Sequence, residues 1–355
     1  MKRLIIFNAS SFIYGAERGL INLVKALSGR FDITVVLPKR GPVEEKLRRA
    51  DPAVDIRIFP LAVLTRSLSP FYYVGFTLLW AVNLFYFTFF IIFNKIGIVC
   101  ANSLLLTFPA VAANFAKKQH IWYVREFFES VPLNSVSGKI IDRFADVVLC
   151  QSETIKKRLF LNRGRVIYEP LDESEYKQYE SDAARDRLGI PRDAAVMAVV
   201  SRIHPSKGQL EFIREIKGSL RGSTKLFLII AGDITPRSLR NRLYKRKIEW
   251  LVKKENLNNV RLLGFRDDID RILSISDVCV FPFKREEPFG IAVAEALAFG
   301  KATIFSRIGG PEEVYNIFNS GEKFVEGRLF IPEALSFQTY KEKILPIFEN
   351  RYGTA

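Results

Sequence analysis

Short runs rich in Val, Ile, Leu and Phe recur along nearly the whole chain, separated by longer amphipathic or charged stretches. The first six are Leu4 to Phe7, Ile33 to Leu37, Ile56 to Phe59, Ile98 to Ala101, Ile121 to Val124 and Val147 to Cys150. A second series follows at Val166 to Tyr168, Val196 to Val200, Leu226 to Ala231, Val260 to Leu263, Val278 to Phe281 and Ala302 to Phe305. Runs this short and this apolar suit strands buried on both faces of a parallel sheet, and the helix-length spacers supply the crossovers. The pattern predicts an α/β protein of two doubly wound domains. Their boundary falls within Tyr168 to Pro191, where a strand running into Glu169 and Pro170 gives way to the polar stretch LDESEYKQYESDAARD. Residues 1–170 then form one domain and 171–336 the second, with a C-terminal helix in 337–355 packing back on the first. A ligand is expected in a cleft between two facing domains, at the carboxyl ends of both sheets.

One segment breaks the alternation. Between Arg66 and Lys95 lie 28 uncharged residues, SLSPFYYVGFTLLWAVNLFYFTFFIIFN. A helix from Phe71 to Phe93 is about 34 Å long at 1.5 Å per residue, enough to cross a bilayer. Topology argues against a crossing, because the runs before Arg66 and after Lys95 build one sheet. The reading adopted is a crossover helix over 68–93 with one face on the sheet and another dipped into a membrane interface. A wholly buried helix is the alternative, disfavoured because aromatic residues run all round it.

Composition narrows the class. With 48% hydrophobic and 26% charged residues, 16 prolines and 3 cysteines in 355 residues, the chain is neither disordered nor collagen-like nor a disulfide-stapled mini-domain. Cys100, Cys150 and Cys279 lie far apart in apolar runs and read as buried thiols. The opening MKRLIIF holds too short an apolar run for a signal-peptide core, so the expected location is cytoplasmic, peripheral on the inner face of the cell membrane. The formal charge of +15 is clustered: residues 1–50 carry +6 and residues 201–250 carry +8. Clustering points to local anionic partners, although the segment Arg237 to Lys254 also reads as a solvated helix face.

Three stretches carry chemistry. Tyr14, Gly15, Ala16, Glu17 and Arg18 link the first strand to a helix, where glycine admits a close ligand and the helix N-terminus offers amides. The GxGxxG pattern is missing, which lowers support for dinucleotide oxidoreduction. Ser201 to Gly208 (SRIHPSKG) follows the strand VMAVV and places Arg202 and Lys207 five residues apart, a pairing suited to a diphosphate. Glu287, Pro288, Phe289 and Gly290 follow VCVFPF, with Glu295 on the ensuing apolar helix. A carboxylate beside Ala294 and Ala296 needs a partner, and hydroxyl donors of a sugar and a ribose would satisfy both acids. A first-turn acid plus a structural ion pair is the plainer alternative.

Together these features resemble the retaining glycosyltransferases of family 4, whose mark is Glu, seven residues, Glu. Glu287 and Glu295 match it, with PFG after the first acid. The resemblance implies a GT-B fold of two facing Rossmann-like domains and transfer from a nucleoside diphosphate sugar, UDP or GDP, without a cofactor or metal. It assigns Glu287 to the donor sugar, Glu295 to the ribose, and Arg202 and Lys207 to the diphosphate and its stabilisation as leaving group. Gly15, Gly232, Phe265, Phe289 and Gly290 join the donor set, and Gly309 to Glu313 resembles the family's GG segment. Asn102, Ser103, Arg125 and Glu126 are the acceptor-side candidates. The chain departs from the family at Tyr123-Val124-Arg125-Glu126, where many relatives carry a His-Asp type pair, and at Ser201, where glycine is usual. A further departure is that 41 residues follow Val314, which shortens the elements after the GG segment. Asp268, Ile269 and Asp270 match DxD but read as a helix cap and first-turn acids.

The expected function is therefore transfer of a sugar to a lipid-linked or saccharide acceptor at the cytoplasmic membrane surface, in bacterial surface-polysaccharide assembly. A GT-B sugar epimerase is disfavoured by the Glu pair. A non-catalytic basic scaffold binding anionic lipid or nucleic acid is the alternative from another class. Nucleic acid is its weaker form, since no recognition motif accompanies the charge.

Overall fold

The computed structural model describes residues 1–13, 15–64, 70–179, 181–235, 238–320 and 330–349. Tyr14, residues 68 and 69 of the expected apolar helix, Arg237 and residues 350–355 lie outside them. The described chain divides into two compact units, one comprising Met1–Pro170 and Phe337–Ala355, the other Leu171–Ser336.

In the first unit the order is β1 (Lys2–Phe7), α1 (Gly15–Leu27), β2 (Phe31–Leu37), α2 (Val43–Ala50), β3 (Asp55–Ile58), α3 (Pro70–Phe93) and β4 (Ile98–Ala101). There follow α4 (Phe108–Phe115), β5 (Gln119–Val124), α5 (Val131–Phe144), β6 (Val147–Cys150), α6 (Glu153–Arg158) and β7 (Arg165–Val166). The second unit continues with α7 (Ser181–Arg187), β8 (Ala195–Val200), α8 (Gln209–Leu220), β9 (Leu226–Ala231), α9 (Leu239–Lys254) and β10 (Val260–Gly264). It closes with α10 (Ile269–Ile275), β11 (Val278–Phe281), α11 (Ile291–Ala298), β12 (Ala302–Phe305) and α12 (Gly310–Asn319), after which α13 (Phe337–Glu349) returns to the first unit.

Both sheets are parallel. The first runs β3-β2-β1-β4-β5-β6-β7 and the second β10-β9-β8-β11-β12. Each reverses its strand order once, between β1 and β4 or between β8 and β11. Crevices at the carboxyl ends of such a switch point are where open α/β sheets bind ligands. Two sequence expectations are corrected in detail. β7 closes the first sheet and does not open the second series. β3 and β12 are edge strands with mostly exposed or half-buried residues, not strands buried on both faces.

Alternation along the strands sends Leu4, Ile6, Cys100 and Tyr123 into a core with α1, α2 and α13. Ile5, Phe7 and Val99 go to the other face, where they meet α3 and α4. The register Phe7–Ala101–Trp122 keeps Ala101 and Trp122 on that face, under α4, α5 and α6. Helices α3 to α6 thus form one layer.

Helix α3 is neither spanning nor wholly buried. β3 and β4 belong to one sheet, so its two ends cannot lie on opposite sides of a bilayer. Leu84, Phe87 and Ile91 are buried on the sheet, while Val74, Leu78, Val82, Phe85, Phe89 and Ile92 are exposed along the opposite face. By length and composition this helix could cross a membrane. Buried Asn83 clamps the chain entering it, accepting from Ala62 N at 2.7 Å and donating to Pro60 O at 3.0 Å.

Candidate functional site

In the second unit every donor-site candidate sits at or beyond the carboxyl end of a strand. Arg202 and Lys207 follow β8, Gly232 follows β9, Phe265 follows β10, and Glu287, Phe289 and Gly290 follow β11. Arg202 and Glu287 therefore flank the β8/β11 switch point. Lys207 Nζ donates to Glu287 Oε2 at 2.6 Å and lies 4.8 Å from the centroid of the Phe283 ring. Burial lowers the Lys207 ammonium below the usual lysine value, Glu287 pulls it back up, and Arg202 adds to the lowering. Arg202 is exposed and donates from Nη1 to Thr235 Oγ1 at 3.3 Å.

His204 stands in the same loop, half-buried among cations. Burial first, then Arg202, Arg240 and Lys207, lower its imidazole to about 4. Three cations acting on one neutral ring mark a focus of positive potential. Arg240, in the first turn of α9, was not singled out from the sequence because it reads there as one charge among many.

The loop carrying Glu287 is held by the GG segment. Glu287 and Gly309 form a parallel bridge, and Gly310 N donates to Glu287 O at 2.9 Å. A Cβ on Gly310 would stand 2.3 Å from the Phe289 Cα, so no other residue fits without moving the loop. Gly290 caps α11 in a left-handed conformation (φ 93°), which turns the chain from loop to helix.

Glu295, at the start of the second turn of α11, is 2% exposed, and Tyr176 Oη donates to its Oε1 at 3.0 Å. The Tyr176 ring also meets Phe299 edge-on. The partner that the sequence demanded for this acid thus includes a protein hydroxyl 119 positions away, a separation no local pattern reveals. The structure brings Lys207 and Glu287 into one ion pair and gives Glu295 a different environment. Asp268 and Asp270 behave as expected only in part. Asp268 stands at the cap position of α10 but makes no capping hydrogen bond and pairs instead with Arg266.

In the first unit, the strand ends carry a buried polar chain. Asn8 Nδ2 approaches Glu17 Oε1 at 3.4 Å, and Asn102 Nδ2 donates to Asn8 Oδ1 at 2.8 Å. Arg125 Nε donates to Asn102 Oδ1 at 2.8 Å, and Arg125 Nη1 pairs with Glu169. Asn22 and Gln151 also donate to Glu169, at 2.8 and 3.3 Å. The residues following β1, β4, β5, β6 and β7 are thereby joined into one network. Asn8, Asn22, Gln151 and Glu169 were not identified from the sequence. Glu126 accepts from Ser103 Oγ and from Leu104 N at 2.9 Å, and burial still pushes its carboxyl above the usual range. Gly15 opens α1 with open space where a Cβ would stand, so its glycine is not required by protein contacts.

Residues 180–351, just under half of the chain, match the family described as Glycosyl transferases group 1. A lipopolysaccharide 1,2-N-acetylglucosaminetransferase of Salmonella typhimurium is 29% identical over 140 residues, covering 39% of this chain and 37% of that protein. A UDP-Gal:alpha-D-GlcNAc-diphosphoundecaprenol alpha-1,3-galactosyltransferase of Escherichia coli is 31% identical over 134 residues, 37% of this chain and 33% of that protein. The chain therefore spans well under two thirds of the length of these relatives. Among solved structures, Anabaena Alr3699/HepE in complex with UDP and glucose covers 99% of this chain with 90% of its own, at a TM-score of 0.73 and 22% identity. The fold is that of the GT-B glycosyltransferases. Family match and fold together support a group 1 glycosyltransferase.

Proposed function

We propose that this protein is a retaining, metal-independent hexosyltransferase of family 4 that moves a sugar from a UDP- or GDP-sugar to a lipid-linked or saccharide acceptor. The observation that carries this reading is the set Arg202, Lys207, Glu287 and Glu295 around the β8/β11 switch point. There two cations and two acids offer what a diphosphate flanked by two sets of hydroxyls requires. Arg202 and Lys207 hold the diphosphate, and their charge stabilises it as the bond to the anomeric carbon breaks. Glu287 leaves or shares Lys207 to accept from the donor sugar, and Glu295 accepts from the ribose. Gly15, Gly232, Phe265, Phe289 and Gly290 complete the donor set, while Ser103 and Glu126 serve the acceptor side and the buried Asn102 and Arg125 act there by holding the strand ends in place.

The lipid part of the reading is supported by the outward face of α3, which fits a cytoplasmic membrane surface, and by the undecaprenol-linked substrate in the name of the Escherichia coli relative. The setting is bacterial surface-polysaccharide assembly, with no nucleic acid partner.

Calorimetry of UDP, GDP and ADP, in chelator, against the protein and Glu295→Ala tests it. One nucleotide binds, and the substitution weakens it roughly 10- to 100-fold, the range for hydrogen bonds to a charged group. Binding of none by folded protein rejects the transferase and favours a non-catalytic scaffold.

A further inference from the structure

Helix α5 is built the wrong way round for a helix packed in a soluble domain. It buries Asn134, Gly138 and Ile141 and turns Leu133, Val136, Ile140 and Phe144 outward, at 53, 56, 37 and 38% exposure. At 100° per residue these four lie within one strip, opposite the buried positions. Lys139 and Arg143 are exposed immediately beside that strip, with the Arg143 guanidinium 5.9 Å from the Phe144 ring centroid. The inner side explains how the helix is held without its apolar residues. Gly138 lies so close to Leu159 O that a Cβ would meet it at 1.9 Å, and Asn134 Oδ1 accepts from Phe128 N at 2.8 Å. The outward strip is therefore surplus to folding.

We infer that α5 is a second membrane-docking element, which lays its apolar strip into an anionic lipid surface while Lys139 and Arg143 meet the headgroups. Three observations choose this occupant. The cations border the strip on one side, the arrangement of an interfacial helix on anionic lipid. The strip belongs to the same helical layer as α3, whose own apolar face is exposed, and α4 touches both helices. Phe115 and Lys117, at the end of α4, are exposed as well and add an apolar and a cationic side chain to that layer.

The consequence is orientation. A single apolar helix on a bilayer is free to roll about its axis, whereas two separate strips fix a plane. Helix α5 also begins five residues after Glu126, which accepts from Ser103 beyond β5, so the docked face follows directly in the chain from those strand ends. An acceptor held in the bilayer by its lipid would be presented there. The inference deepens the membrane part of the proposed function and is independent of its catalytic part.

Flotation of the full chain with phosphatidylcholine vesicles, with and without phosphatidylglycerol, tests it. Wild type binds both and prefers the anionic vesicles. Val136→Ser with Ile140→Ser weakens binding to both, on the order of 10- to 100-fold for two apolar side chains. Lys139→Gln with Arg143→Gln lowers binding to anionic vesicles about 25-fold, near fivefold per charge, and leaves neutral vesicles unchanged. Wild-type binding by the serine variant overturns the inference, as does failure of wild type to bind any vesicle. A dimer in solution that the serine substitutions dissolve assigns the strip to a second copy and also overturns it. Circular dichroism and thermal unfolding of the same samples verify folding, and nucleotide calorimetry reports separately on the donor site. Lost nucleotide binding with intact flotation condemns the transferase reading alone.

Discussion

Arg125 and Glu169 are both withdrawn from water, with side chains 0 and 1% exposed. A buried pair of this kind adds little over an apolar substitute, but removing one partner leaves the other charged and unsolvated. Glu169→Ala should therefore lower stability by about 3–5 kcal/mol, read from the denaturation midpoint. Arg125→Met with Glu169→Leu should recover most of it. Lys207 gives a pH prediction. Its ammonium titrates below the ordinary 10.5, and a diphosphate needs the charged form. Affinity for the nucleotide should be full at neutral pH and fall as pH rises through that lowered value, before an ordinary lysine would discharge. Lys207→Arg should abolish the alkaline decline, because guanidinium keeps its charge, whatever the variant does to affinity at neutral pH. Calorimetry from neutral to alkaline pH decides both points. The acids and cations after β8 and β11 could be placed from the sequence, because each stands in a short motif beside a strand. The Arg125–Glu169 pair was not, since its members are 44 positions apart and meet only when β5 and β7 share a sheet.

Elements were legible where burial dictates composition. The central strands β1, β4, β8 and β9 read directly from their apolar runs, since both faces are covered there; the only charges, Lys2 and Arg3, stand at the exposed start of β1. Edge strands β3 and β12 carry a weaker signal, because water reaches them. The exposed apolar strip of α5 has the same period as a core-facing one, so nothing in the pattern alone marks it as outward. The loop before α11 shows how an element depends on a distant backbone. Gly310→Ala should displace Phe289 and the Glu287 carbonyl contact, weakening nucleotide binding at least ~10-fold and costing roughly 1–3 kcal/mol of stability from overpacking. Gly218→Ala, on α8 with open space around its Cα, is the matched control and should leave both unchanged or slightly improved. Calorimetry and thermal unfolding on the two variants measure the contrast.

On the scale of the molecule, the first unit is assembled from two distant pieces of chain. Tyr340, Ile344, Ile347 and Phe348 of α13 enter the core built by α1, β1 and β2, and Phe348 meets Phe31 edge-on at 6.3 Å. The second unit begins and ends side by side, with Leu171 bridged to Ser336 and Leu171 N donating to Leu335 O at 2.8 Å. Phe348→Ala should cost about 3–5 kcal/mol through the cavity it leaves. Hydrogen exchange should then show faster opening of β1, β2 and α1, with β8 and β9 unchanged. Equal loss of protection in both sheets would show that the units unfold as one.

The return of α13 also sets an order of events during synthesis. The partners of Phe348 on α1 and β2 leave the ribosome first, yet what covers them is encoded after the 166 residues of the second unit. At 5–20 residues per second that interval is roughly 10–30 s. Throughout it the nascent chain carries an open greasy seam, a natural target for the chaperones that wait at the tunnel exit.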